Sequence, residues 1–304
     1  MFRGQRFVRL LLEKEELDDR LLAGDHSEWY YIDRTAVTSY MLKKFHQLYM
    51  DEDVEIYYAL VTSLLSMMLT KTSINGLLGR GGMHLFSLNQ LEQFLDISTE
   101  WTSHDKKLLD LGAGDGQITA IMARLYRTVS VTEVSKVMEW RLKQRGFNVV
   151  PTDIWHQFGA YHLISALNLL DRHYNPSLLL AQLHSMTLRS ESLLLLAVVL
   201  PLHQYVEFHP TSRTHRPDIK ISIKGKTFEE QASSLVTDVL EPAGFELLKW
   251  SKLPYLCEGD FRRPFYHLDD AVFLLRPVNI SSVGSNFSNI LPNNPLPNRD
   301  FTSL

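Results

Sequence analysis

Three observations predict an α/β chain built on a mostly parallel sheet covered on both faces. From Lys106 onward, segments of strand and helix character alternate, as right-handed βαβ crossovers require. Residues 107–116 read KLLDLGAGDG, an apolar strand running into a tight glycine turn, and the next apolar stretch, TVSVT, is closed by Glu133. Two strand-like segments, 245–252 and 270–276, follow one another closely at the end of the series. Ligands in such sheets lie outside the carboxyl ends of the strands. The residues just after each strand are therefore the site candidates.

The elements follow in order. Residues 1–25 are a lead, helical or disordered; Arg3, Arg6 and Arg9 stand beside Phe2, Phe7 and Val8, but the acidic residues from Glu13 onward make a poor signal peptide. A single domain is expected over 26–277, with 26–105 a helical cover and 106–277 the core. From Trp29 to Leu95 the apolar spacing is helical, as in Tyr57, Leu60, Val61, Leu64, Leu65 and Met68. The segment TSINGLLGRGG at 72–82 carries four glycines and is expected to break regular helix. It reads either as a chain reversal or as a glycine-rich cover where backbone must approach a ligand. In the core, strands are expected at 107–111, 128–132, 148–150, 161–167, 193–200, 245–252 and 270–276. Helices are expected at 116–126, 135–145, 176–188 and 228–243, the last stopped by Gly244. The stretch 201–226 is polar and irregular. The tail 278–304, rich in Asn, Ser and Pro, is expected to be disordered, and its two sequons at Asn279 and Asn286 are the kind that arise by chance in such tracts.

The glycine spacing selects the cofactor. Gly112, Gly114 and Gly116 give G-x-G-x-G, whereas the dinucleotide fingerprint needs glycine at 117, where Gln117 stands. Asp110, Asp115 and Glu133 surround the turn with negative charge, and along the chain no Lys or Arg lies between Lys107 and Arg124. Such a site repels phosphates and suits a cation, which favours the sulfonium S-adenosylmethionine over a dinucleotide. Gly112, Ala113 and Gly114 would let the methionine moiety approach backbone. Glu133 is placed to accept from both ribose hydroxyls, and Asp153, after the third strand, to take the adenine amino group. Asn168 and Asp171 follow the fourth strand, beside the reactive methyl. The seven strands and their late pair then match the class I Rossmann-like methyltransferase sheet, whose last strand inserts antiparallel, here with an N-terminal helical layer.

Composition excludes several classes. A net charge of −4 argues against broad binding to nucleic acid. The single cysteine, Cys257, excludes an intrachain disulfide and a cysteine-based zinc site, and the histidines show no metal-ligand spacing, so no metal is expected. No apolar run reaches the length of a membrane helix. A monomer is expected, in the cytoplasm.

The acceptor is read from the fourth strand. Adenine-amino methyltransferases place prolines and an aromatic there to hold a flipped base, but this chain has Asn168-Leu-Leu-Asp171. Methyl transfer is an in-line displacement and needs an aligned neutral nucleophile. For an imidazole acceptor, Asp171 would accept from one ring N–H, fix the tautomer, leave the other nitrogen's lone pair free and stabilise the developing charge.

The segments TSINGLLGRG (72–81), LLDLGAGDG (108–116), Asn168-Leu-Leu-Asp-Arg172, LPLHQYVE (200–207), LPYLCEGD (253–260) and LDDAVFLLRP (268–277) together resemble the DREV, or methyltransferase-like protein 9, family. The resemblance runs from about His26 to Val278. It implies a protein-histidine methyltransferase that uses S-adenosylmethionine, leaves S-adenosylhomocysteine, and modifies the pros nitrogen in His-x-His motifs of protein or peptide substrates. By it, Glu133, Asn168 and Tyr255 contact the cofactor, Asp171 engages the target imidazole, and the glycine-rich segment, with Asn75 and Arg80, joins the active-site cover. His203, Tyr205 and Glu207, after the fifth strand, either line the peptide groove or pack the loop around Pro201. Vertebrate members resemble secretory-pathway proteins with an apolar leader, which leaves endoplasmic reticulum or mitochondrial association open. Two other readings stand beside this one: a small-molecule or RNA methyltransferase of the same fold, and a silent peptide-binding module.

Overall fold

The computed structural model describes residues 62–66, 69–79, 81–98, 100–101, 104–157, 159–212, 214–260 and 263–279. The expected lead, the helical pattern before residue 62, Arg80 and the tail from residue 280 lie outside the described residues. The elements are α1 (Lys71–Leu78), β1 (Met83–His84), α2 (Leu88–Phe94), β2 (Lys107–Leu111), α3 (Gln117–Met122), β3 (Thr128–Thr132), α4 (Lys136–Gln144) and β4 (Asn148–Val149). They continue with β5 (Leu163–Leu167), α5 (Pro176–Ser190), β6 (Leu193–Leu200), α6 (Phe228–Leu235), a π-helical turn (Val236–Leu240), β7 (Phe245–Asp260) and β8 (Arg263–Pro277).

The strands form one sheet in the order β1-β7-β8-β6-β5-β2-β3-β4. From β6 to β4 all pairings are parallel, whereas β8 enters antiparallel between β6 and β7. This is the seven-stranded arrangement expected, with the two-residue β1 added at the β7 edge. The central strands are near-continuous apolar runs because both of their faces are covered. Leu108, Leu163, Leu195 and Val272 point into a core under α2 and α3. Their alternates Leu109, Ile164, Leu196 and Phe273 point into a second core with α5 and α6, as the period of two demands.

Side-chain caps set the helix starts. Ser135 accepts from the Met138 N–H at the head of α4, Asn175 from the Leu178 N–H before Pro176, and Thr227 forms a capping box with Glu230.

Three expectations are corrected. The glycine-rich segment is regular helix over 71–78, capped by the Thr70 side chain and ended at Gly79, whose φ of 69° is left-handed. Gly76 is tolerated inside it because a Cβ there would fall 2.8 Å from Val137, so glycine is what lets α1 lie close on α4. The helix expected over 228–243 turns from α to π at Val236. Finally, β7 and β8 run well past the expected ends, because they continue pairing with each other as a hairpin beyond the last partner residue of β6.

Candidate active site

The glycine turn leaves β2 and enters α3 with Gly112, Gly114 and Gly116 at φ 70°, 56° and 78°. L-residues avoid that region, so the turn needs glycine at these places. Its N–H groups are directed by the neighbouring strand: Gly112 and Ala113 donate to the Thr132 carbonyl at 3.0 Å each, and Gly114 to Glu133 Oε2 at 2.9 Å. Glu133 Oε1 accepts from the Ser135 N–H at 2.9 Å. The carboxylate therefore bridges the glycine turn and the head of α4, and each oxygen keeps a lone pair for a ligand hydroxyl. Burial raises its pKa, against the Ser135 and Gly114 N–H groups, and the Glu207 charge raises it further.

Asp110 and Asp115 face inward. The Asp110 oxygens accept from Thr119 Oγ1 at 2.6 Å and Ser165 Oγ at 2.7 Å, and burial lifts the carboxyl to about 6. Asp115 Oδ1 accepts from the Gln117 N–H at 3.0 Å, starting α3, and Oδ2 lies 3.8 Å from Arg145. These two acids are buried, and their oxygens accept hydrogen bonds from within the protein. The acidity of the turn is also tempered in space by Arg145 and Arg141, which approach from α4.

A second polar cluster gathers at the end of β5. Asn168 takes a left-handed φ of 54°, donates its N–H to the Ala197 carbonyl at 2.9 Å, and gives Nδ2 to Asp270 Oδ2 at 2.7 Å. Asp171 is buried; Arg172 Nε lies 3.1 Å from its Oδ2, and its Oδ1 has no partner in the protein. Helix α5 is capped by Asn175, so capping does not explain Asp171. Burial lifts its carboxyl to about 6, against the pull of Arg172 and of the His203 charge.

The loop after β6 folds back onto this acid. The Tyr205 N–H donates to the Asp171 carbonyl at 3.0 Å, and the Tyr205 ring stacks on His215 at 4.6 Å. Glu207 accepts from the N–H and the hydroxyl of Thr72, at 3.1 and 2.6 Å, tying this loop to the first turn of α1. Helix α1 is fixed on its other side by Ser73 Oγ to Ser135 Oγ, 3.0 Å, and by Arg141 to the Gly76 carbonyl, 2.6 Å. Downstream, β1 pairs with Leu256 and Cys257, and Met83 comes within 3.2 Å of where a Cβ on Gly114 would stand. Met83 thus lies against the glycine turn. Tyr255 is buried and donates its hydroxyl to Met83 Sδ.

Asp153 is exposed on the turn after β4. Asn75 is half-buried on α1, where its carbonyl accepts from the Gly79 N–H and its side chain packs at Gly81. The structure adds a residue not singled out in the sequence, Asp270, fully buried on β8 beside Asn168. A carboxylate leading into the apolar run AVFLL was the available signal, because an acid buried in a strand requires a partner. Among the described residues no group of His, Cys, Asp and Glu could hold a metal ion, and no helix is long and apolar enough to cross a membrane.

The chain is similar to several known proteins. Solved structures similar to the chain include the CMeT domain of the citrinin polyketide synthase, 17% identical over 63% of this chain and 52% of that one, TM-score 0.41. A TehB-like SAM-dependent methyltransferase from Corynebacterium glutamicum is 17% identical over 61% and 85%, TM-score 0.37. Magnesium protoporphyrin IX methyltransferase from Synechocystis, solved with bound SAM, is 15% identical over 62% and 77%, TM-score 0.37. None of these likenesses bears on the acceptor, and the sheet is defined by its own strand order. The description of the DREV methyltransferase family matches residues 28–277, most of the chain. The protein belongs to the DREV family of methyltransferases.

Proposed function

We propose that this methyltransferase carries a methyl group from S-adenosylmethionine to the pros nitrogen of histidine in His-x-His segments of proteins. The observation that carries the reading is Asp171: a buried carboxylate with one oxygen held by Arg172 and the other unpartnered, at the carboxyl end of β5. An unpaired buried acceptor costs about 1–3 kcal/mol, and an imidazole N–H is a donor suited to it.

The chain's donor side also fits the cofactor. Glu133 has lone pairs left for ribose hydroxyls, and the glycine turn admits close backbone approach. S-adenosylmethionine, when bound, supplies a sulfonium methyl as the electrophile. Asp171 Oδ1 takes the N–H of the far ring nitrogen, which leaves the pros lone pair free. A carboxyl near 6 is close to the imidazole range and stabilises the ring as it becomes positive. Tyr205 and His203, on the loop bonded to Asp171, and Glu207, bonded to α1, form the wall along which flanking peptide residues run.

One observation favours a second reading. Arg172 is 45% exposed beside Asp171 and offers a counter-charge to an anionic small molecule or an RNA phosphate. The donor side would serve either acceptor equally, since one fold hosts many acceptors.

The deciding experiment incubates the protein with labelled S-adenosylmethionine and, in parallel, His-x-His peptide, the Ala-x-Ala counterpart, total RNA and a metabolite extract. Label confined to the His-x-His peptide supports the proposal. Equal labelling of both peptides, or preferential labelling of RNA or metabolites, overturns it. Failure to bind S-adenosylmethionine in a titration would point instead to a silent peptide-binding module.

A further inference from the structure

We propose that Asp270 is a positioning residue: it orients the Asn168 amide so that Oδ1 is held as a fixed acceptor on the Asp171 side of the site, whatever nucleophile is methylated. Asn168 is pinned through its backbone by the N–H bond to Ala197 and by its left-handed φ. What remains free is the amide flip, which exchanges a donor for an acceptor at almost no cost in shape. Asp270 Oδ2, 2.7 Å from Nδ2, removes that freedom. The observed amide pairs an N–H donor with that oxygen, whereas the flipped amide would set two oxygens against each other.

Asp270 is itself well anchored. It lies in the stretch of β8 flanked by both neighbours, opposite Val199 of β6 and Leu253 of β7, and it is fully buried. Burial raises its carboxyl well above the usual range, the Asn168 amide opposes that shift, and the Asp171 and Asp269 charges add to it. A strand has no use for such a group, since an apolar residue of similar size would pack there without the desolvation cost. The Oδ1 atoms of Asp270, Asn168 and Asp171 are all without a protein partner. Three neighbouring residues each keep one acceptor unspent, the arrangement expected where a donor-bearing ligand completes the set.

The test exchanges the pair. Asn168→Asp alone removes the amide N–H donor that meets Asp270 and should lower kcat by on the order of a hundredfold, the scale of a displaced site group. Asp270→Ala frees the amide and should lower kcat comparably, with acceptor KM changed much less. The double variant Asn168→Asp/Asp270→Asn moves the donor to position 270 and the acceptor to position 168, restoring both the bond and the free oxygen. Its kcat should return to within about tenfold of the native chain. A double variant as inactive as the two losses combined, with native-like melting, overturns the proposal. In asparagine-labelled protein, the Asn168 side-chain amide protons should exchange slowly by nuclear magnetic resonance and lose that protection in Asp270→Ala. Retained protection would also overturn it. The amide readout needs no turnover, so it decides the role of Asp270 even if no histidine peptide is methylated. Should Asp270→Ala fail to fold, the exchanged pair decides alone.

Discussion

The two halves of the proposed site differ in how they use their hydrogen bonds. On the donor side, the glycine turn and Glu133 satisfy one another: Gly112, Ala113, Gly114 and Ser135 all donate within β2, β3 and the head of α4. On the acceptor side, Asn168, Asp171 and Asp270 each leave one oxygen unpartnered. A half that is complete before the ligand arrives is preorganised to hold it. A half that keeps buried acceptors unspent is held ready for a donor that arrives with the substrate. The difference separates binding of the methyl donor from chemistry on the acceptor, and variants should separate them too.

The largest effect is expected on the acceptor side. Asp171→Ala should bind S-adenosylmethionine within about threefold of the native affinity yet lose turnover by on the order of 10²–10⁴, seen by calorimetry and by label transfer. Normal turnover in this variant would end the imidazole-orienting role. Next, Glu133→Ala removes both bridging bonds and the ribose acceptor, and should weaken S-adenosylmethionine binding by about a hundredfold or more in the same titration, since bonds to charged groups are each worth roughly 1.5–3 kcal/mol. Equal loss of donor binding in the two variants would erase the contrast between the halves.

A smaller effect is expected where the halves are tied together. Glu207→Ala releases Thr72, loosening α1 from the loop that carries Tyr205. Acceptor KM should rise about tenfold with kcat nearly kept, the pattern of lost uniform binding; steady-state kinetics on peptides of varied length would check it. The smallest effect is a pH signature. With a folded-state value of about 6, above the ordinary 3.8, Asp171 gains a proton more easily in the native state. Its contribution to stability is therefore full below about pH 4 and is lost as pH rises through about 6. Turnover runs the other way, falling as pH drops through about 6 and the carboxylate is neutralised. Asp171→Asn should flatten its share of the melting trend between pH 4 and 7 while leaving the share due to Asp110, also raised to about 6. Melting curves whose pH dependence is the same in both proteins would contradict this assignment.

Much of the fold was legible. β2, β3 and β6 occupy the residues expected of them, β6 as an unbroken apolar run buried on both faces and β2 and β3 as short stretches bounded by the glycine turn and by Glu133. The hairpin ends of β7 and β8 were not, because pairing there is made by the two strands alone and leaves no periodic mark. Helix α1 was misread for a related reason. Glycine lowers helix propensity, but the closeness of Val137 and Met138 makes Gly76 the residue that fits, and no local rule contains that contact. Asp115 looked like free negative charge until α4 brought Arg145 to it.

The methyl-donor half was set by local sequence: a strand, three glycines that alone can take the left-handed turn, and a carboxylate closing the next strand are neighbours because β2 and β3 pair in register. The acceptor half was decided by tertiary structure. Asn168 and Asp171 lie close in sequence, but Tyr205 reaches Asp171 through the fold-back of a loop, and Asp270 reaches Asn168 only because β8 inserts antiparallel beside β6. A buried carboxylate acquires its partner, its raised pKa and its unspent oxygen from the strands packed around it, and those are set by the order of the sheet.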